Sequence, residues 1–116
     1  MTTMPMPSNH LRLTTVGDQD RVRIEIHGDL DYENADVLQD EVTRQLAGRT
    51  GIRHLDLYCA GLGTIDSTGL SVLLMIHRRT TAAGVRLHLE DRPANLERLL
   101  DITGTLDLLT AAPPPV

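Results

Sequence analysis

Three stretches of this chain alternate apolar and polar residues with a period of two, and that pattern limits the possible folds more than any other feature. In the run from Arg21 to Gly28, Val22, Ile24 and Ile26 share one side, and Arg23, Glu25 and His27 the other. From His54 to Ala60 the inward set is Leu55, Leu57 and Cys59, and from Val85 to Glu90 it is Val85, Leu87 and Leu89. Period two is the signature of a strand with one buried face. Since a slip of one residue would turn every apolar side chain to water, the pattern requires Ile24, Leu57 and Leu87 to be buried and Arg23, Asp56 and Arg86 to be exposed. A weaker strand, Leu11 to Val16, precedes Gly17 and Asp18 and suits a hairpin with the next strand.

Between and after these strands the spacing becomes helical. Asn34 to Gly48 carries Ala35, Leu38, Val42 and Leu46 on one stripe, with Asn34 placed to cap and Gly48 to terminate. Ser67 to Ala83 carries Leu70, Leu73, Leu74 and Ile76, ends in Arg78 and Arg79 before Gly84, and has Asp66 or Ser67 as its N-cap. Pro93 to Thr103 groups Leu96, Leu99 and Leu100 and stops at Gly104. The last apolar stretch, Leu106 to Leu109, reads as an edge strand or an extended cover.

This order predicts an α/β fold: a mixed β-sheet of four to five strands with about three helices covering one face, since strands keeping a polar second face are not sandwiched between helix layers. Residues 10–110 are expected to form a single domain, with disordered tails at 1–9 and 111–116. A formal charge of -5 argues against nucleic-acid backbones and anionic membranes. Tyr32 and Tyr58 are the only aromatics among 116 residues, so no base-stacking platform exists. The lone Cys59 forms no internal disulfide, and with no leader-like or spanning run the chain is expected to be cytoplasmic.

His27, His54 and His88 fall on the polar sheet face, but beside Arg23, Glu25, Asp56, Arg86 and Glu90 they read as a solvated surface, and no metal site is expected. Gly61, Gly63 and Gly69 surround a loop without GxGxxG or GxxxxGK spacing, and the chain contains no lysine, so it is not expected to bind ATP itself. Ser67, where a buried strand meets a helix N-terminus, is either an ordinary N-cap or a phosphoacceptor whose phosphate the free N–H groups would meet. A hydrolase elbow is disfavoured because Ile65 stands where that motif has glycine. Asp29, Asp31 and Glu33 form a second acidic loop; if its strand is the parallel neighbour of the next, Asp31 lies near Asp66 and Ser67.

The segments GDLDYENADVL, HLDLYCAGLGTIDSTGLSVLL and AGVRLHLEDRPANLERLLDITG together resemble the STAS domain of bacterial anti-sigma factor antagonists. The likeness runs from about Val22 to Leu109 and includes that family's G-[ED]-L-D segment, at Gly28 to Asp31, and its D-S-[ST]-G-L segment, at Asp66 to Leu70. The resemblance implies phosphorylation at Ser67 and a partner-binding set of Asp31, Asp66, Ser67, Thr68 and Gly69. It implies partner switching: the unphosphorylated form binds an anti-sigma factor serine kinase and frees the sigma factor, phosphorylation abolishes binding, and a metal-dependent serine phosphatase restores it. On this reading the chain is a substrate and switch, with no catalytic residues and no cofactor of its own. The alternative is a STAS scaffold or sensor subunit in which Ser67 is merely an N-cap. After Leu109 the sequence departs from longer members, which continue into a further amphipathic helix, so a reduced C-terminal cover is expected.

Overall fold

The computed structural model describes residues 10–110; the two expected tails lie outside the described residues. The elements run β1 (Arg12–Asp18), β2 (Arg21–Leu30), α1 (Ala35–Gly48), β3 (His54–Ile65), α2 (Ser67–Ala82), β4 (Arg86–Glu90), α3 (Ala94–Ile102) and α4 (Leu106–Thr110). They build one mixed sheet of four strands in the order β1-β2-β3-β4. β1 and β2 form the expected antiparallel hairpin, while β2, β3 and β4 are parallel. The crossover helices α1 and α2 pack against each other, and because both connections step the same way across the sheet they lie on one face. Leu96 and Leu100 of α3 and Leu109 of α4 join the same apolar cluster as Ile24, Leu57, Leu38 and Leu73.

The predicted registers hold for Ile24 and Leu57, both buried, and for Arg23 and Arg86, both exposed. Two expectations are corrected. Leu87 is only half-buried, because β4 is an edge strand and its core side has no further strand beside it. Asp56 is 3% exposed rather than solvated, since the Arg21 guanidinium extends along the sheet and binds its Oδ2 at 2.6 Å. Arg23 lies in the same way over the Tyr58 ring, 4.0 Å from its centre. The outward face is thus a mesh of long side chains lying flat, a use of their aliphatic stems that alternation does not reveal.

A third correction concerns Leu106 to Leu109, which is the short helix α4, with Leu109 buried and Leu108 exposed. The fourth is the extent of β3. It continues through the glycine-rich stretch read as loop, because two register shifts against β2 lie between Glu25 and His27 and between Gly28 and Leu30. Each is a bulge carrying an extra residue on β3, so the inward set moves from Cys59 to Leu62 and the period of two is broken. Gly61 sits at the first bulge, where a Cβ would run into the His27 ring and meet the Ile26 carbonyl oxygen at 2.9 Å.

Burial holds Cys59 unreactive: desolvation pushes its thiol up to about 12. His54 moves the other way from its ordinary 6.5, lowered by burial first and then by the charges of Arg21 and His88. The folded chain therefore takes up fewer protons there than the unfolded chain in acid. The stability contributed by neutral His54 is present above 6.5 and is lost as the pH falls from there through the lower folded value.

Two outcomes are expected. Leu57→Ala should lower the unfolding free energy by about 2–5 kcal/mol, whereas Arg86→Ala should stay within about 0.5 kcal/mol, both read from urea denaturation. Between about pH 7.5 and 5, the fall in stability should be shallower in His54→Gln than in the unaltered chain.

Candidate functional site

The site is set by where the parallel pair β2 and β3 ends. Its last rung is Leu30 with Ile65, so the next residues, Asp31 and Asp66, leave adjacent strands at the same sheet edge. Three hydrogen bonds then tie together the strand ends and the loops that follow them. The Tyr32 N–H donates to Asp66 Oδ2 at 3.1 Å, the Thr64 N–H to Asp29 Oδ1 at 2.9 Å, and the Asp66 N–H to the Leu30 carbonyl at 3.3 Å.

Asp66, in extended conformation, is the N-cap of α2; its Oδ1 accepts from the Gly69 N–H at 3.0 Å. This resolves the two N-cap candidates, and it frees Ser67. As the first helical residue, Ser67 is exposed, and its hydroxyl makes no hydrogen bond among the described residues. Neither do the Ser67 and Thr68 N–H groups, because the cap's carboxylate and carbonyl serve Gly69 and Leu70. A nucleophilic oxygen therefore stands in water beside two unpaired donors at the positive end of a helix of 16 residues.

Asp31 organises the second loop. Its Oδ1 accepts from the Glu33 and Asn34 N–H groups at 3.1 and 3.2 Å, and its carbonyl accepts from Ala35 at 2.7 Å. Asn34, expected to cap α1 with its side chain, instead donates through Nδ2 to the Asp29 carbonyl at 3.3 Å. The turn from Asp31 already satisfies the first donors of the helix, so the Asn34 side chain is free to tether the loop.

Gly69 is buried and packed against the end of β2. A Cβ there would collide with the Leu30 carbonyl oxygen and lie 2.9 Å from Ile65 Cγ1. The glycine in D-S-T-G thus serves the close approach of α2 to the end of β2. Asn95, at the start of α3, donates to the Gly63 carbonyl at 2.5 Å and braces the end of β3 from the other side.

The structure brings Asp31, Asp66, Ser67 and Thr68 to one edge and places Gly69 beneath them. Among the exposed apolar residues are Tyr32, 73% exposed, in the loop after β2, Val37 on α1 and Met75 on α2, none of which the sequence reading singled out. Met75 lies two turns along α2 from Ser67, and Gln39 Nε2 of α1 contacts its sulfur at 3.8 Å. The available signal was helical: Ser67, Ser71 and Met75 fall at four-residue steps, one stripe opposite the buried Leu70, Leu73 and Ile76. The histidines considered for a metal divide, with His54 and His88 in contact at 3.1 Å and His27 against Glu25 at 3.7 Å.

A family model described as the STAS domain matches residues 12–114. Among solved structures, the chain is similar to the unphosphorylated anti-sigma factor antagonist SpoIIAA, with a TM-score of 0.69, 17% identity, and 82% of this chain and 81% of that chain covered. It is similar to an anti-sigma factor antagonist from Mycobacterium paratuberculosis, with a TM-score of 0.70, 17% identity, and coverage of 91% and 87%. A sulfate transporter family protein from Wolinella succinogenes matches at a TM-score of 0.66 and 20% identity, over 81% of this chain and 75% of that one. At these identities the likeness establishes the fold. No helix among the described residues is long and apolar enough to cross a membrane.

Capping is the property to test here. Asp66→Ala should lose about 0.5–2 kcal/mol, while Ser67→Ala should change stability by less than about 0.5 kcal/mol, in thermal or urea unfolding. Gly69→Ala should destabilise the chain more than either, because the collision is with backbone.

Proposed function

This chain belongs to the STAS domain family, and from that premise we propose that it is an anti-sigma factor antagonist that works by partner switching, with Ser67 as the phosphoacceptor. The observation that carries this reading is the exposed Ser67 hydroxyl, relieved of capping by Asp66. A kinase must reach that oxygen and align it with a γ-phosphate, so an accessible, unengaged hydroxyl is a requirement of the chemistry. The kinase supplies ATP, Mg²⁺ and the base, and the chain is the substrate. A chain without lysine is poorly equipped to hold a nucleotide phosphate itself.

The unmodified form binds the anti-sigma factor kinase across Asp31, Asp66, Ser67 and Thr68, with Tyr32, Val37 and Met75 as its apolar part. Binding occupies the kinase and releases the sigma factor. Phosphorylation adds about -1.5 to -2 charge at Ser67. Within the free chain that charge is tolerated, since the unpaired N–H groups and the helix dipole face it. Across an interface the balance reverses, because the phosphate must lose water beside two carboxylates while adding bulk at the centre of the contact. A metal-dependent serine phosphatase regenerates the binding form. The setting is cytoplasmic, where kinase, ATP and sigma factor meet.

Incubation with a candidate anti-sigma kinase and Mg-ATP, followed by intact mass measurement, should show one phosphate on the unaltered chain and none on Ser67→Ala. Ser67→Ala should still bind the kinase, whereas Ser67→Asp and Ser67→Glu should bind more weakly. Equal binding by all three would sink electrostatic exclusion. Phosphate on Ser67→Ala would move the acceptor, with Thr68 the first residue to check, and binding without any phosphate transfer would favour the scaffold reading.

A further inference from the structure

On the sheet face turned away from the helices, the parallel register pairs Asp56 of β3 with His88 of β4 and Tyr58 with Glu90. Asp56, His88 and Glu90 therefore project from one side of two adjacent strands, and one ligand-type atom from each lies within 4.8 Å of the others. Asp56 is 3% exposed; Arg21 occupies its Oδ2 at 2.6 Å, and its Oδ1 is buried without any hydrogen-bond partner. A carboxylate oxygen sealed from water with no donor at its lone pairs is an unmet acceptor of a kind native interiors rarely leave. Nothing among the described residues supplies the missing donor, and the groups beside it, an imidazole and a second carboxylate, are acceptors suited to a cation.

We infer that Asp56, His88 and Glu90 form a binding site for a first-row divalent transition metal, with Zn²⁺ as the probe whose chemistry fits best. One imidazole and two carboxylates suit borderline ions; the imidazole argues against Ca²⁺ and Mg²⁺, which prefer oxygen alone. Zinc sits about 2.0–2.2 Å from such donors. The exposed Glu90 side chain is the one free to rotate inward and close the present spacing. Arg21 does not preclude the ion, since it engages Asp56 through Oδ2 and leaves Oδ1 without a hydrogen-bond partner. The two carboxylates and Arg21 still leave a net negative charge for a dication to meet. His54 supports the set from outside: its ring stacks on His88 with centres 5.3 Å apart, and its Nδ1 lies 3.1 Å from His88 Nε2. That contact orients His88 and leaves Nδ1 of His88 as the nitrogen without a hydrogen-bond partner.

The site is independent of Ser67, which lies beyond the far end of β3, so the two readings fail separately. The experiment is calorimetric titration of ZnCl₂ into the untagged, chelator-treated full chain. The expected result is one saturable equivalent, retained by Ser67→Ala, His27→Gln and His77→Gln. Both His88→Gln and Glu90→Gln should weaken it at least about tenfold, and His54→Gln should weaken it about 10- to 100-fold, as lost support for a metal-binding histidine does. These are partly exposed side chains, and circular dichroism checks that each variant folds. Co²⁺ in place of Zn²⁺ should give visible absorption in the unaltered chain and not in His88→Gln. No saturable binding, or binding of equal affinity in His88→Gln and Glu90→Gln, overturns the assignment.

Discussion

The close approach of α2 to the end of β2 is the constraint on which the site depends. Gly69 lies directly against the Leu30 carbonyl, and the Asp66 N–H donates to that same oxygen. This is possible because position 69 has no Cβ and because two bulges lengthen β3 enough to deliver Asp66 beyond the last rung of the ladder. With the helix seated there, the N–H of Tyr32 reaches Asp66 and the loops after β2 and β3 become one surface. A wider gap would uncouple Asp31 from Asp66 and leave the helix N-terminus facing water alone.

Which residue takes the cap decides what the surface is able to do. Capping and phosphate acceptance compete for a side-chain oxygen, because a hydroxyl bonded to N–H groups is held away from an incoming electrophile. Asp66 outcompetes Ser67, since its carboxylate reaches Gly69 and Tyr32 together and a charged acceptor binds N–H groups more strongly than a neutral one. The cost of removing the Ser67 hydroxyl is correspondingly small. Stability and the proposed switch thus rest on neighbouring but different residues, so substitution at 67 is able to report on binding without unfolding the chain.

Much of this was legible in the sequence, for physical reasons. Half-buried strands must alternate, so Ile24 and Leu57 announced their burial. Three of the four helices among the described residues carried apolar stripes and end signals, and the juxtaposition of Asp31 with Asp66 followed from parallel pairing. What stayed hidden came from interactions beyond local pattern. The bulges erased the alternation after Cys59, so a strand read as a glycine-rich loop. Asp56 looked like any solvated residue until the Arg21 guanidinium covered it, and Asn34 lost its capping role to a turn begun by Asp31. Tyr32, Val37 and Met75 come from two separate elements and the loop before one of them, and their exposure is set by packing rather than by local pattern.

Calorimetric titration of one anti-sigma kinase against two preparations of this chain, unmodified and stoichiometrically phosphorylated at Ser67, tests the central claim most directly. The unmodified chain should bind tightly and lose most of its affinity on phosphorylation, with both preparations giving the same circular dichroism spectrum. Equal affinity for the two forms would contradict it.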